Sequence, residues 1–166
     1  AFTAAARAAG VVAADGLFDP YASPTNFLLG AYIFEDIGVT AYKGASPLIT
    51  NKTYLEAAAG ILASEAYHAG TIRTELYRRG LTARAAANRI SNARDTLDGS
   101  TDIDQGITAG SSAILSPTDG SGNANLVPAD GNAIAYSRNS QQVHNIVYLS
   151  NSGAVSGGFF PAGTNN

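Results

Sequence analysis

The stretch TYLEAAAGILASEAYHAGTIRTELYRRG, residues 53–80, decides the fold. It predicts one long helix. Thr53 and Glu56 form a capping box at its start. Arg78 and Arg79 suit the negative end of the helix dipole, and Gly80 suits the position just past the last turn. Tyr54, Ala58, Ile61, Glu65, His68 and Ile72 recur at three-four spacing and share one stripe. A carboxylate and an imidazole therefore occupy the middle of a face otherwise suited to a core, where an unpaired charge is costly.

The segment before it repeats this pattern. Ser23 followed by Pro24 reads as an N-cap with proline in the first helical turn. The helix is expected over about residues 25–45, until Pro47 in GASPLITN (44–51) breaks it. Its inward stripe is Leu28, Ala31, Glu35, Gly38 and Tyr42, again with an acid at the centre. Asp36 points about 100° away from Glu35 and reads as a surface or helix-contact residue. A short alanine-rich helix is expected over residues 3–14. A third helix, capped by Thr82 and running to about Leu97, is expected to bury Ala86, Ile90, Ala93 and Leu97 and to turn its arginines outward. From about residue 98 the composition shifts to Gly, Ser, Asn, Asp and Pro, and the helical period is lost. NSQQVHNIVYLSN (139–151) remains as one further helix or strand. The expectation is a mainly α chain: residues 1–98 form a helical unit of two long helices and a shorter third. Residues 99–166 form an irregular extension packing on that unit or on a partner.

Residues three apart on a helix point the same way, so Glu65 and His68 can reach one metal ion together. Glu-x-x-His is the helix-borne unit of di-iron and di-manganese carboxylate bundles. The full site uses two such helices plus a lone Glu from each of two more. Here Glu35 supplies a lone carboxylate, and Glu65 with His68 supplies one pair. The alternative is a salt bridge from Glu35 or Glu65 to protonated His68. Tyr42 and Tyr67 read as packing aromatics that could also donate to a ligating carboxylate. His144 has no acid at ligand spacing and reads as a surface histidine. DTLDGSTDID (95–104) and DGSGNAN (119–125) are rich in oxygen donors, but neither is an EF-hand loop, and both read as solvated turns.

Composition narrows the function further. The 166 residues carry a net charge of −3, and the arginines form no stripe that could follow a phosphate backbone, so nucleic acid is not an expected partner. No apolar run is long enough to span a membrane. With no cysteine there is no disulfide, thiolate nucleophile or iron–sulfur cluster. Phosphate-loop, dinucleotide and Gly-x-Ser-x-Gly motifs are missing. The sequence starts without methionine and lacks easily oxidised sulfur. These features suggest a trimmed or partial chain in an extracytoplasmic, periplasmic or secreted setting.

FLLGAYIFEDIGVTAYKGASPLI (27–49), YLEAAAGILASEAYHAGTIRTELY (54–77) and FFPAG (159–163) together resemble the second half of the ferritin-like domain of desiccation-related proteins. That resemblance implies a ferritin-like four-helix bundle with a two-metal centre of iron or manganese. It implies that Glu35 matches the lone glutamate of the third bundle helix, and Glu65 and His68 the pair on the fourth. The helices bearing the other ligands are not in this sequence. A protein partner or a second copy is therefore expected to cover the apolar stripe containing Leu28 and Ile61, giving an oligomer. The implied function is a stress- or desiccation-associated exported protein acting in metal oxidation or peroxide handling. The alternative is a non-catalytic structural or assembly subunit with a vestigial site.

Overall fold

In the computed structural model, residues 1–109 and 117–164 are described. Helices dominate them: α1 (Phe2–Ala8), α2 (Pro24–Ala45), α3 (Lys52–Arg78), α4 (Leu81–Asp98) and α5 (Ser140–Val147). The only strands among the described residues are β1 (Thr108–Ala109) and β2 (Asn123–Ala124), an antiparallel pair two residues long. The expected extension, 99–166, includes residues 110–116, 165 and 166, which lie outside the described residues.

Helix α2 starts as its sequence implies. The Ser23 hydroxyl accepts from the Asn26 N–H, and Pro24 takes the first position, where no amide donor is needed. After α2 a single 3-10 turn, Ser46–Leu48, reverses the chain around Pro47. Helix α3 then runs back along α2. Arg79 donates to Thr25 at one end of the pair, and His68 meets Glu35 midway.

Three expected helix ends differ in the structure. Asn51, not Thr53, caps α3: its Oδ1 accepts from the Thr53 and Tyr54 amides, a better fit to the orphan donors of the first turn. Helix α4 starts at Leu81 behind Gly80, whose φ of +90° makes the sharp corner, and no side chain caps it. Helix α1 stops at Ala8 rather than near residue 14. Gly10 adopts φ +68°, and the Val11 and Val12 amides fold back onto the Ala6 carbonyl.

The core joins Leu29, Tyr32 and Ile33 of α2 to Leu76 of α3, to Ala83, Ala87 and Ile90 of α4, and to Ala6, Phe18 and Ile107. Phe2, Phe34 and Phe159 pack edge to face, tying the first and last parts of the chain to α2.

A buried ionic network crosses this core. Arg73 donates two hydrogen bonds to Asp36, fork to fork, at 3.0 and 2.9 Å. Arg94 binds Asp36 at 2.9 Å and Asp104 at 2.6 Å, and Arg138 binds Asp98 at 2.6 Å and Asp104 at 2.9 Å. The Arg73 and Arg94 guanidiniums lie over the Tyr32 ring, 5.4 and 4.6 Å from its centroid.

This network corrects three sequence-based expectations. Asp36 is 6% exposed and Arg94 only 3%, so neither is a surface residue. In DTLDGSTDID, Asp95, Asp98 and Asp104 are buried rather than solvated. The inward face of α4 is Ala83, Ala87, Ile90 and Arg94 with Asn88 and Ser91, rotated from the expected one; of that set only Ile90 is buried, and Ala86, Ala93 and Leu97 are half-buried.

The loop-rich segment is held by the same cations. Arg73 donates to the carbonyls of Gln105, Gly106 and Asn125. Gln142 and Asn145 of α5, a helix with a complete Asn139–Gln142 capping box, bond the last carbonyls of α4. The Arg138 amide donates to the Thr40 carbonyl. The chain there passes so close to α2 that a side chain at Gly44 would collide with the Arg138 carbonyl.

Candidate metal centre

Glu35 projects from the middle of α2, and Glu65 and His68 from the middle of α3. The antiparallel pairing of the two helices brings these middles level. His68 Nδ1–H donates to Glu35 Oε2 at 3.1 Å. One ligand atom from each of Glu35, Glu65 and His68 lies within 4.8 Å of the others. Gly38, one turn after Glu35, makes room for this. A methyl group there would stand 2.7 Å from the Glu65 carboxyl carbon.

The two carboxyls crowd each other. Burial pushes the Glu65 carboxyl up to about 7, and a hydrogen bond to Glu35 and the charge of Glu35 add to the rise, against the pull of His68. A cation placed there would relieve the same repulsion that pushes the Glu65 carboxyl up. Imidazole nitrogen with carboxylate oxygen is a donor set suited to iron, manganese or zinc.

The centre is open on one side. The His68 side chain is 64% exposed and that of Glu35 25%. The stripe expected to face inward is half-buried on α2. On α3 it includes the exposed Tyr54 and Ile61. Tyr67 is also exposed, and Tyr42 is half-buried. His144 lies elsewhere, half-buried against Tyr148 and Thr164.

The elevated Glu65 carboxyl sets a pH dependence. Its folded value lies above the ordinary 4.5, so the folded state binds the extra proton. The stability it contributes is fully present below about 4.5 and is lost as pH rises through about 7. A metal must displace that proton, so its affinity rises about tenfold per pH unit below 7 and levels off above. Melting of metal-free protein between pH 5 and 8, with metal titrations at the same values, checks both slopes.

The ferritin-like domain family model matches residues 2–78, the segment holding all three candidate ligands. The chain belongs to the ferritin-like domain family. The desiccation-related protein PCC13-62 of Craterostigma plantagineum is 33% identical to this ferritin-like chain over 132 residues. That match covers 73% of the chain and 40% of the relative. The ferritin-like catalase Nec2 of Nesocodon mauritianus is 27% identical over 159 residues, 89% of the chain and 49% of the relative. The chain thus spans less than half of either curated relative. No solved structure matches it at comparable significance.

Sequence spacing picks out Glu35, Glu65 and His68 but gives Gly38 no role beyond a small residue in the stripe. The signal available was a glycine one helical turn beyond a candidate ligand, where close helix approach needs a missing side chain.

Proposed function

We propose that Glu35, Glu65 and His68 hold iron or manganese as this chain's share of a two-metal carboxylate centre, and that the protein handles peroxide or oxidises metal in an exported, stress- or desiccation-associated setting. The observation that carries this reading is the convergence of three ligand atoms within 4.8 Å. The relatives' names, desiccation-related protein and ferritin-like catalase, support the setting and the chemistry.

When bound, a redox-active metal pair supplies the electrons exchanged with peroxide or dioxygen. The chain's own residues do the rest. Glu35 and Glu65 supply negative charge for the cations, and His68 Nδ1 supplies the nitrogen donor once turned from Glu35. Glu65, whose carboxyl burial pushes up to about 7, would give up its proton to solvent when a cation takes its place. Gly38 keeps the Glu65 carboxyl against α2.

A further part of the proposal concerns what closes the centre. On α3, residues 52–68 are mostly exposed although apolar and small. Ala58 alone is buried, and Ala57, Ala59, Gly60, Ile61, Ala63 and Ala66 face outward. Such a surface favours close helix packing. A protein partner or a second copy lying on it would bring the remaining Glu and Glu-x-x-His ligands, and a two-fold axis would do so with identical chains. Sedimentation should show an oligomer or a tight complex. A well-folded monomer at all concentrations contradicts this part.

Gly38→Ala tests the function. The atoms nearest the added methyl are all in the Glu65 side chain rather than the backbone, so the fold should survive while the carboxyl is displaced. The expected result is unchanged helicity with at least about tenfold lower metal affinity, in the range for disturbed supporting residues. Peroxide turnover by metal-loaded protein should fall in parallel. The second reading, a structural or assembly subunit, is favoured by the exposed small-residue face of α3. It predicts that Gly38→Ala changes nothing and that assembly fails when Ile61 is replaced by aspartate.

A further inference from the structure

We propose that the cavity enclosed by α1, α2, α4 and α5 binds a small, neutral, apolar molecule about the size of benzene, at a site independent of the metal reading. The cavity has a volume of about 120 Å³, and none of Glu35, Glu65 and His68 lines it. Packed interiors hold few voids larger than a water molecule. An engineered apolar cavity of about 150 Å³ stays dry and takes benzene or xenon, so the space here suits a ligand of that size.

The lining decides the chemistry. Its walls are Leu29 and Ile33 of α2, Ile90 of α4 and Ile146 of α5, with Phe18 and the alanines of α1. A buried water needs about two to four polar partners, which such walls do not supply. Thr96 lines the cavity, but its hydroxyl already donates to the Ala93 carbonyl. Among the described residues of the lining only Arg94 is charged. Its terminal nitrogens donate to the Tyr32 carbonyl, Asp36 and Asp104. The Arg94 charge is therefore balanced within the buried network, and the cavity selects a neutral ligand over a carboxylate.

The space is held open by its surroundings. Apart from Phe2, α1 gives this wall only alanines. The Thr3 hydroxyl donates to the Phe18 carbonyl at 3.1 Å and accepts from the Phe18 amide at 3.2 Å. Arg7 donates to the Gly16 carbonyl at 2.8 Å, and Arg89 of α4 to the Gly10 carbonyl at 3.3 Å. Helix α1 would have to strain or break these bonds to settle into the gap, so the collapse that usually softens a void is opposed. Leu149 lines the cavity just past α5 with φ +54°, a left-handed position where glycine is usual. A bulky side chain is kept there despite the backbone strain. Ala8 and Thr96 line the cavity and are exposed, which places its mouth between α1 and α4.

Titration of the protein as purified with benzene, followed by NMR of its leucine and isoleucine methyl groups and by melting, tests this. Saturable shifts are expected at Leu29, Ile33, Ile90 and Ile146, with a Kd of about 1 mM or tighter, within reach of so small a ligand. Benzene should also raise the melting temperature. Benzoate, its charged analogue, should bind at least about tenfold more weakly. Ala93→Leu fills the space from α4 and should weaken benzene binding at least about tenfold, because side chain and ligand compete for one volume. If that variant does not fold, Ala5→Leu fills the same space from α1. Glu65→Ala should bind benzene as wild type does, which separates this site from the metal centre. No shift at those methyls at about 10 mM benzene, or unchanged binding in the filled variant, overturns the proposal. So does binding by dissociated chains with none in the oligomer, since a partner would then occupy the cavity.

Discussion

Replacing Arg94 by methionine lowers folding stability by about 3–5 kcal/mol, the usual cost of removing one partner from a buried ion pair. Arg94 is 3% exposed and holds both Asp36 and Asp104, so its loss strands charge in the core. Burial alone would push the Asp36 carboxyl up, but Arg73 and Arg94 hold it below the ordinary range, and the variant loses the Arg94 share of that support. Tyr32 also loses the Arg94 guanidinium that lies over its ring. For a domain whose total stability is about 5–15 kcal/mol, the change decides whether the chain stays folded. Urea unfolding of the variant against wild type measures it, and a difference below about 1 kcal/mol would show that the network carries little of the fold. Removing Arg94 and Asp36 together, with apolar residues in their place, should cost less than Arg94→Met alone, because fewer charges are left unpaired.

That network is the part of the fold least legible in the sequence. Three-four spacing marks α2 and α3 because their apolar residues are local and periodic, and Ser23-Pro24 marks a helix start because capping is local. The same logic sends Asp36 and Arg94 outward, since a lone charge is costly to bury. What buries them is pairing between residues 58 positions apart, which no window on one helix reveals. The candidate site was more legible. Glu35, Glu65 and His68 are each read from spacing, and antiparallel pairing brings them level. Its openness was not legible, because alanine and glycine are as compatible with an exposed face as with a packed one, and α3 between residues 52 and 68 is largely exposed.

Glu65→Ala and His68→Ala each remove one of three ligand atoms and should weaken metal binding by more than about 100-fold, beyond the loss typical of supporting residues. Neither should unfold the chain, because neither side chain belongs to the hydrophobic core, which is formed elsewhere. In metal-free protein Glu65→Ala also removes the carboxyl pushed up to about 7, so the decline in stability between pH 5 and 7 should flatten. A substitution with the same binding loss at an exposed acid away from the centre, such as Glu56, would contradict the assignment. The most direct measurement is elemental analysis of protein purified without chelators, wild type beside Glu65→Ala. Iron or manganese in near-stoichiometric amount in the wild type, falling to trace in the variant, is the result expected of a metal centre at Glu35, Glu65 and His68. Trace metal in both, or equal metal in both, would contradict it.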